Sequence, residues 1–332
     1  MRERRAHAAY FGYDFQVKAA IVIMLDNITE AKSLKLEGVE DIEIRLFDGK
    51  TVLAQAKAVE DTFDYSHVRE KLKSALQSLS EGAAQVDASQ LIMITNSPNP
   101  FNDPESRSMF WGANRCDYRS LPSSSRELID NYLQETGAAL DTDKFYVQRL
   151  PFDTDDEEER ARATKDRIRA FLSKIMVAVP DFTDRLYDVW TAQLLFNGSV
   201  REKTLHIKKA SFIWPIIVFE TDISLLDDDI IEEFDEAQYQ EIARSYHAVI
   251  DSHCDRYEFV SRVLGDYNEF EYSGPKKKKA IAFSSALWER YRDEFTVPGI
   301  PDETVKGLTR IILYSIVKRR IVIENIRKGA NL

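Results

Sequence analysis

Three side chains in the segment Leu36–Val59 have the types and spacing that metal-assisted phosphodiester hydrolysis requires. Asp41 stands at the start of one alternating run, and Gln55 and Lys57 stand two residues apart in the next. Because strand side chains alternate between faces, Gln55 and Lys57 are expected to share one face. Carboxylate and amide oxygens suit Mg²⁺, which polarises a phosphate and activates a bound water. A lysine beside them can orient that water or offset developing negative charge.

A hairpin is expected to bring these three side chains together. The runs Asp41–Phe47 and Thr51–Val59 both alternate polar and apolar residues, and Asp48-Gly49 lies between them. Asp-Gly between alternating runs is among the strongest short-range hairpin signals. Pairing about this turn predicts that the acid, the amide and the lysine converge.

The flanking patterns predict an α/β domain with the order α-β-β-β-α-β. Helical spacing indicates a helix on either side of the three strands, and a continuous apolar run indicates a buried strand after them. From Ser97 to about Ser125 the chain is rich in Pro, Asn, Ser and Asp, which predicts a long loop with little regular structure. The predicted elements are helices at Tyr13–Glu30, His67–Leu79 and Ser125–Glu135, and strands at Ser33–Glu37, Asp41–Phe47, Thr51–Val59, Leu91–Thr95 and Lys144–Leu150.

The rest of the chain is predicted to be mainly helical. The acidic block Asp153–Glu159 marks a plausible boundary, so we expect an α/β domain over residues 1–155 and a helical domain over residues 156–332. The run Phe212–Glu220 stays open, since Pro215 argues against a central strand. Helices are predicted at Ala161–Val179, Asp184–Leu195, Asp235–Val263 and Asp302–Arg327.

Composition limits the classes of function. The net charge of −11 is unfavourable for tight binding to DNA by the chain alone, although metal sites concentrate carboxylates of their own. There is no Walker lysine loop or GxGxxG motif, so an ATPase or dinucleotide function is unsupported. Two distant cysteines, and no apolar run of about 18 residues, favour a cytoplasmic protein without a signal peptide or membrane span.

The N-terminal motifs resemble those of the PD-(D/E)xK nuclease superfamily in its QxK variant. The ordered set Gly12-x-x-Phe15-Gln16, Glu37-x-x-Glu40-Asp41-Ile42 and Gln55-Ala56-Lys57 looks more closely like the double-strand DNA endonuclease family of bacterial anti-phage defence. Members of that family occur in CBASS, Lamassu-type and ABC-three-component systems. The resemblance covers roughly residues 8–150 and implies a restriction-endonuclease-like core.

The resemblance implies roles for six residues and a set of partners. Asp41 and Gln55 match the metal-site positions, and Lys57 matches the catalytic lysine. Gln16, Glu37 and Glu40 match supporting positions. The implied cofactor is Mg²⁺ or Mn²⁺, and the implied substrate is double-stranded DNA. The helical region 156–332 resembles an assembly region, which implies a homo-oligomer and an SMC-like or ABC ATPase partner; no cyclic-oligonucleotide sensor is recognisable there.

Two alternatives stay open at this point. The nuclease fold could survive only as a non-catalytic DNA-binding or scaffold subunit, because Gln55 supplies one fewer negative charge than the commoner Glu. The run Lys276–Lys279 could contact phosphate, although a lysine run after Ser-Gly-Pro is more often a solvated loop.

Overall fold

The computed structural model describes residues 2–152, 156–177, 181–202, 204–253 and 257–332. The protein has an N-terminal helix, a mixed sheet with helices packed on it, and a mainly helical C-terminal region. The first six elements follow the predicted order α-β-β-β-α-β. They are α1 (Arg2–Asp26), β1 (Ala31–Leu36), β2 (Ile42–Leu46), β3 (Thr51–Lys57), α2 (Val68–Ala83) and β4 (Ala88–Thr95).

The prediction of a loop with little regular structure over residues 97–125 was wrong. Asp103 caps a short helix by accepting a hydrogen bond from the Glu105 backbone N–H, with Pro104 at the first helical position. A three-residue strand then pairs antiparallel with a later strand. The next elements are α3 (Pro104–Arg107), β5 (Arg115–Asp117), α4 (Ser123–Thr136), β6 (Phe145–Arg149), α5 (Glu157–Lys174), α6 (Phe182–Ser199) and β7 (Ile207–Lys208).

In the described part of the chain the strands form one seven-stranded sheet, in the order β5-β6-β4-β3-β2-β1-β7. β1, β2 and β3 are antiparallel neighbours, whereas β3, β4 and β6 run parallel. Val147 belongs to the core that α2 and α4 cover, and the next residue, Gln148, donates to Asp26 of α1. Because adjacent strand residues face opposite ways, α1 and α2 cover opposite faces of the sheet.

The C-terminal region is helical, and the open run Phe212–Glu220 lies within a helix despite Pro215. A continuous apolar run does not distinguish a buried helix from a buried strand, so the sequence could not settle it. The predicted helix Asp302–Arg327 is divided at Arg319, and residues 254–256 of the predicted helix Asp235–Val263 lie outside the described residues. The helices are α7 (Lys209–Glu220), α8 (Asp228–Ile231), α9 (Glu236–His253), α10 (Tyr257–Glu269), α11 (Lys279–Tyr291), α12 (Asp302–Lys318) and α13 (Arg320–Ala330).

The chain divides into two compact units. The first consists of Met1–Ser173 and Thr183–Lys209, and the second of Lys174–Phe182 and Ala210–Leu332. The first unit therefore includes most of α5 and α6 and all of β7. The predicted domain boundary at residue 155 falls within residues 153–155, which lie outside the described residues.

Helices α9 and α12 carry apolar residues at three- and four-residue spacing, which could serve self-association, but these stripes are buried inside the second unit. The side chains of Ile242 and Tyr246 on α9 and of Leu308, Ile312 and Ile316 on α12 are each at most 4% exposed. Ile250, also in that pattern, lies outside the described side chains. These stripes form a helical core and do not by themselves indicate an interface between copies.

Helix α1 is apolar enough to satisfy a membrane-span test by length and composition. The stretch His7–Asp26 has a mean hydropathy of 1.2, and 67% of it is buried inside the protein. Core helices of soluble proteins pass the same test, and this helix packs on the sheet through β1, β2 and β3.

Candidate active site

The β2–β3 hairpin places Asp41 beside Gln55. Ile42 pairs with Ala54 across the two antiparallel strands, so the residue before Ile42 meets the residue after Ala54. The hairpin turns at Gly49, whose φ of +90° favours glycine. The predicted proximity of Asp41 and Gln55 is thus present: Gln55 Nε2 donates to Asp41 Oδ2 at 2.5 Å.

The Asp41 carboxylate has a second fixed donor. The backbone N–H of Ala56 donates to the same Oδ2 at 2.8 Å. Both donors come from β3, and they hold the carboxylate against the end of that strand. The arrangement orients Asp41 through neutral donors, and no cation of the described residues forms an ion pair with its carboxylate.

Helix α2 contributes a residue that the sequence did not single out, Ser78. Its Oγ lies 2.9 Å from Gln55 Oε1 and 2.9 Å from Glu40 Oε2. A hydroxyl has one proton to donate, so it cannot donate to both oxygens at once. The two contacts are compatible when Glu40 is protonated and donates to Ser78, which in turn donates to Gln55.

Close packing of α2 on the strands makes this contact possible. A Cβ at Gly82 would lie 2.7 Å from Glu40 Oε1 and 3.2 Å from Leu53 Cδ1. Glycine at this position therefore lets the helix approach the buried Glu40, which is 7% exposed. Ser78 and Gly82 lie one helical turn apart on the side of α2 that faces the site.

Gln16 and Glu37 form a neighbouring pair that supports the backbone of Asp41. Gln16 Nε2 donates to Glu37 Oε1 and to the Asp41 carbonyl oxygen, both at 2.9 Å. Glu37 has a φ of +53° and closes the turn between β1 and β2 by donating its N–H to the Asp41 carbonyl. The supporting residues therefore position Asp41 from α1 and from the turn and do not contact its carboxylate.

Burial dominates the electrostatics of the two acids. It raises the pKa of Glu40 to about 7, and the negative charge of Asp41 adds to that rise. It raises the pKa of Asp41 to about 6, against the opposing effects of the Ala56 N–H and the positive charge of Lys57. Lys57 also lowers the pKa of Glu40, so one lysine acts on both carboxyl groups.

A second lysine, Lys71, lies on the same side of α2 as Ser78. The two residues are seven positions apart, which is about two helical turns. Burial lowers the pKa of Lys71, and the positive charge of Lys57 lowers it further. The two lysines are therefore near enough to repel each other. Spacing along the predicted helix was the only sequence signal that could have revealed Lys71.

The donor set fits a hard divalent ion only with help from water. Among the described residues no group of three or more His, Cys, Asp and Glu side chains is arranged to hold a metal. Asp41 and the Gln55 carboxamide would be the protein ligands, and Mg²⁺ usually keeps several waters in such sites. Burial raises the pKa of both carboxyl groups, and neither has a cation in contact among the described residues, so a positive charge would be favourable here.

Comparison with protein-family models, curated proteins and solved structures finds no match to this chain.

Proposed function

We propose that the protein is a metal-dependent endonuclease that hydrolyses phosphodiester bonds of double-stranded DNA. The observation that carries the proposal is the direct contact between Asp41 and Gln55, beside a lysine whose charge acts on Asp41. An acid, an amide oxygen and a lysine at the end of a hairpin are the groups that metal-assisted hydrolysis uses.

The order of the elements supports this proposal. A helix, three antiparallel strands, a second helix and a parallel strand follow one another, and the candidate residues lie where β2 begins and β3 ends. This is the arrangement expected of a restriction-endonuclease-like core, and the sequence motifs resemble the same superfamily. We therefore propose that the α/β unit is a PD-(D/E)xK-type nuclease domain of the QxK variant.

Mg²⁺ or Mn²⁺ is the proposed cofactor, held by Asp41 and by Gln55 Oε1. When bound, the ion would polarise the scissile phosphate and lower the pKa of a bound water. Ligation through Oε1 requires the carboxamide to turn, since Nε2 now faces Asp41. Ser78 suits such a turn, because its hydroxyl can donate to Oε1 or accept from Nε2.

The two lysines are assigned different tasks. Lys57, on the same strand face as Gln55, would orient the attacking water or offset charge on the phosphate. Lys71 approaches from α2 and would contact the DNA backbone, where each lysine neutralises a phosphate. Glu40, protonated in much of the population near neutral pH, would donate a hydrogen bond to Ser78 and so hold that hydroxyl toward Gln55 Oε1.

The proposed setting is anti-phage defence in the cytoplasm. A nuclease without strong sequence preference would be toxic unless its activity depends on assembly, and the net charge of −11 limits DNA binding by a single copy. Self-association and an SMC-like or ABC ATPase partner remain part of the proposal. Because the apolar stripes of α9 and α12 are buried, they do not support self-association. The remaining argument for self-association is that an unregulated nuclease would be toxic.

One observation favours the alternative of a non-catalytic DNA-binding or scaffold subunit. The hydrogen bonds among Asp41, Gln55, Ser78 and Glu40 satisfy one another without a metal. A closed network of this kind would also stabilise a fold that had lost its activity.

Incubating the full chain with plasmid DNA distinguishes the two functions. The endonuclease produces nicked or linear plasmid with Mg²⁺ or Mn²⁺ and none with EDTA, whereas the scaffold retards the plasmid in a gel and leaves it intact in every condition. Intact plasmid at protein concentrations that saturate binding would overturn the nuclease proposal.

A further inference from the structure

A cavity of about 370 Å³ lies in the first compact unit, on the sheet face that α1 covers. Gln148 lines it and is in register with Ala56 through Ile94 on β4. Gln55 is the neighbour of Ala56 and therefore points to the opposite face. The cavity is thus separate from the candidate active site. Its polar lining includes Asp26, Asn114, Arg115, Gln148, Arg149 and Arg167.

The lining is strongly positive for so small a space. Three guanidinium groups face one carboxylate, that of Asp26. Arg149 has a structural task, since its Nε and Nη1 donate to the backbone carbonyls of Asn96 and Phe110. Arg167 donates through Nη2 to Asp26, and its other guanidinium N–H groups make no hydrogen bond within the described residues. Arg115 and Arg167 are therefore the two arginines that keep donors for a ligand.

Arg115 is held in place while most of its donors stay unused. Its guanidinium stacks 4.2 Å from the centre of the Tyr146 ring, and Nη2 donates to Gln90 Oε1 at 2.8 Å. Within the described residues its other guanidinium N–H groups make no hydrogen bond. A stacked guanidinium with free donors is preorganised for a planar or tetrahedral anion.

Gln148 presents a buried acceptor without a partner. Its Nε2 donates to Asp26 Oδ2 at 3.1 Å, and its Oε1 has no hydrogen-bond partner among the described residues. Asp26 fixes this orientation, because the reverse would set the amide oxygen against a carboxylate. The residue is 6% exposed, so the missing hydrogen bond carries a real cost.

We propose that this cavity binds a small molecule of mononucleotide size that carries a phosphate group. The phosphate would lie against Arg115 and Arg167, and an N–H group of the ligand would donate to Gln148 Oε1. A volume of about 370 Å³ falls in the range of small-molecule sites, which span about 300–1,000 Å³. A space of this size, lined by residues of α1, α5 and the β5–β6 edge, suits a small molecule better than the backbone of duplex DNA.

Calorimetric titration of the full chain tests this proposal in EDTA, where metal-dependent chemistry is absent. The probes are the four ribonucleoside monophosphates, inorganic phosphate and adenosine. At least one monophosphate is expected to bind with a Kd below about 1 mM, and adenosine is expected not to bind. Absence of binding by all four monophosphates and by inorganic phosphate would overturn the proposal.

Two arginines of α5 provide a matched pair of variants. Arg167 is half-exposed and pairs with Asp26, whereas Arg169 is exposed and pairs with Asp166 on its own helix. Arg167→Gln should weaken binding at least about tenfold, and Arg169→Gln less than about twofold. Arg115→Lys keeps the charge but loses the fork and should also weaken binding.

Equal effects of the two α5 variants would contradict the assignment, as would displacement of the monophosphate by a short DNA duplex. The second result would show that the arginines serve nucleic acid instead. Because binding is measured without metal, a failed nuclease assay and a failed titration remain separate outcomes.

Discussion

Gln55 Nε2 lies 2.5 Å from Asp41 Oδ2, and Gln55 Oε1 lies 2.9 Å from Ser78 Oγ. The amide of Gln55 can therefore donate a hydrogen bond to Asp41, whereas a second ionised carboxylate at position 55 could not. In the metal-free protein the glutamine links a buried acid to a buried hydroxyl. A bound cation would instead favour Gln55 Oε1 toward Asp41, because the cation prefers an oxygen ligand from each of the two residues.

Gln55→Glu follows directly from this contact. Two carboxylates this close cannot both be ionised at low cost, so the metal-free variant should be less stable than the wild type above about pH 6. The added negative charge should tighten Mn²⁺ binding by about tenfold. Urea unfolding and Mn²⁺ titration measure the two effects. Gln85→Glu, on an exposed residue after α2, is the control, and an identical response of both variants would remove Gln55 from the metal site.

The raised pKa of Glu40 predicts how stability depends on pH. The folded value of about 7 exceeds the ordinary value of 4.5, so the folded state holds the proton more tightly. This contribution is present below pH 4.5 and is lost as the pH rises through 7. Glu40→Gln should therefore stabilise the metal-free protein at pH 8 by about 1–3 kcal/mol and have little effect at pH 4.5.

Urea unfolding in EDTA at both pH values measures this difference. Glu127→Gln, at an exposed position of α4, should change stability equally little at both. A Glu40 variant that is less stable than the wild type at pH 8 would show that the buried carboxylate is stabilising and that the sign is wrong.

Gly82→Ala tests the close approach of α2. The new Cβ would lie 2.7 Å from Glu40 Oε1, so the helix or the acid must shift. We expect a loss of about 1–3 kcal/mol, although alanine ordinarily favours a helix by about 1 kcal/mol. Gly265→Ala in α10 is the matched control, because its added Cβ would meet no described atom within 4 Å apart from its own helix backbone and chain neighbours. Thermal unfolding should place Gly265→Ala at or above the wild type and Gly82→Ala below it. A Gly82→Ala variant as stable as the wild type would contradict the close approach of α2.

Lys71→Ala separates DNA contact from chemistry. If Lys71 neutralises a phosphate, its removal should raise KM about tenfold and reduce the salt dependence of binding, with a smaller change in kcat. Lys73→Ala is the control, since Lys73 lies on the same helix and pairs at the surface with Glu135. A fall in kcat alone would instead place Lys71 in the chemical step.

The hairpin that carries the site could be predicted because its signals are local. The Asp48-Gly49 turn and the alternation on both sides fix the register, and the register fixes which residue meets Asp41. Ser78 and Gly82 carry no such signal. Their roles depend on where α2 crosses the strands, which is a property of tertiary packing.

Other elements could not be predicted from the sequence either. β5 and β7 have three and two residues, too few for a period of two to be visible. Helix α11 begins within a lysine-rich stretch that composition describes as a loop, and the first three of those lysines are exposed. The buried run around Pro215 has no polar face to define its period.

Cleavage by paired variants tests the nuclease assignment most directly. Plasmid cutting with Mn²⁺ is measured for Asp41→Asn and Lys57→Ala, with Asp87→Asn and Lys73→Ala as exposed controls and circular dichroism to confirm folding. Both site variants should lose at least about 100-fold in rate, while the controls stay within about twofold of the wild type. A correctly folded Lys57→Ala variant that cuts at the wild-type rate would contradict the proposed site.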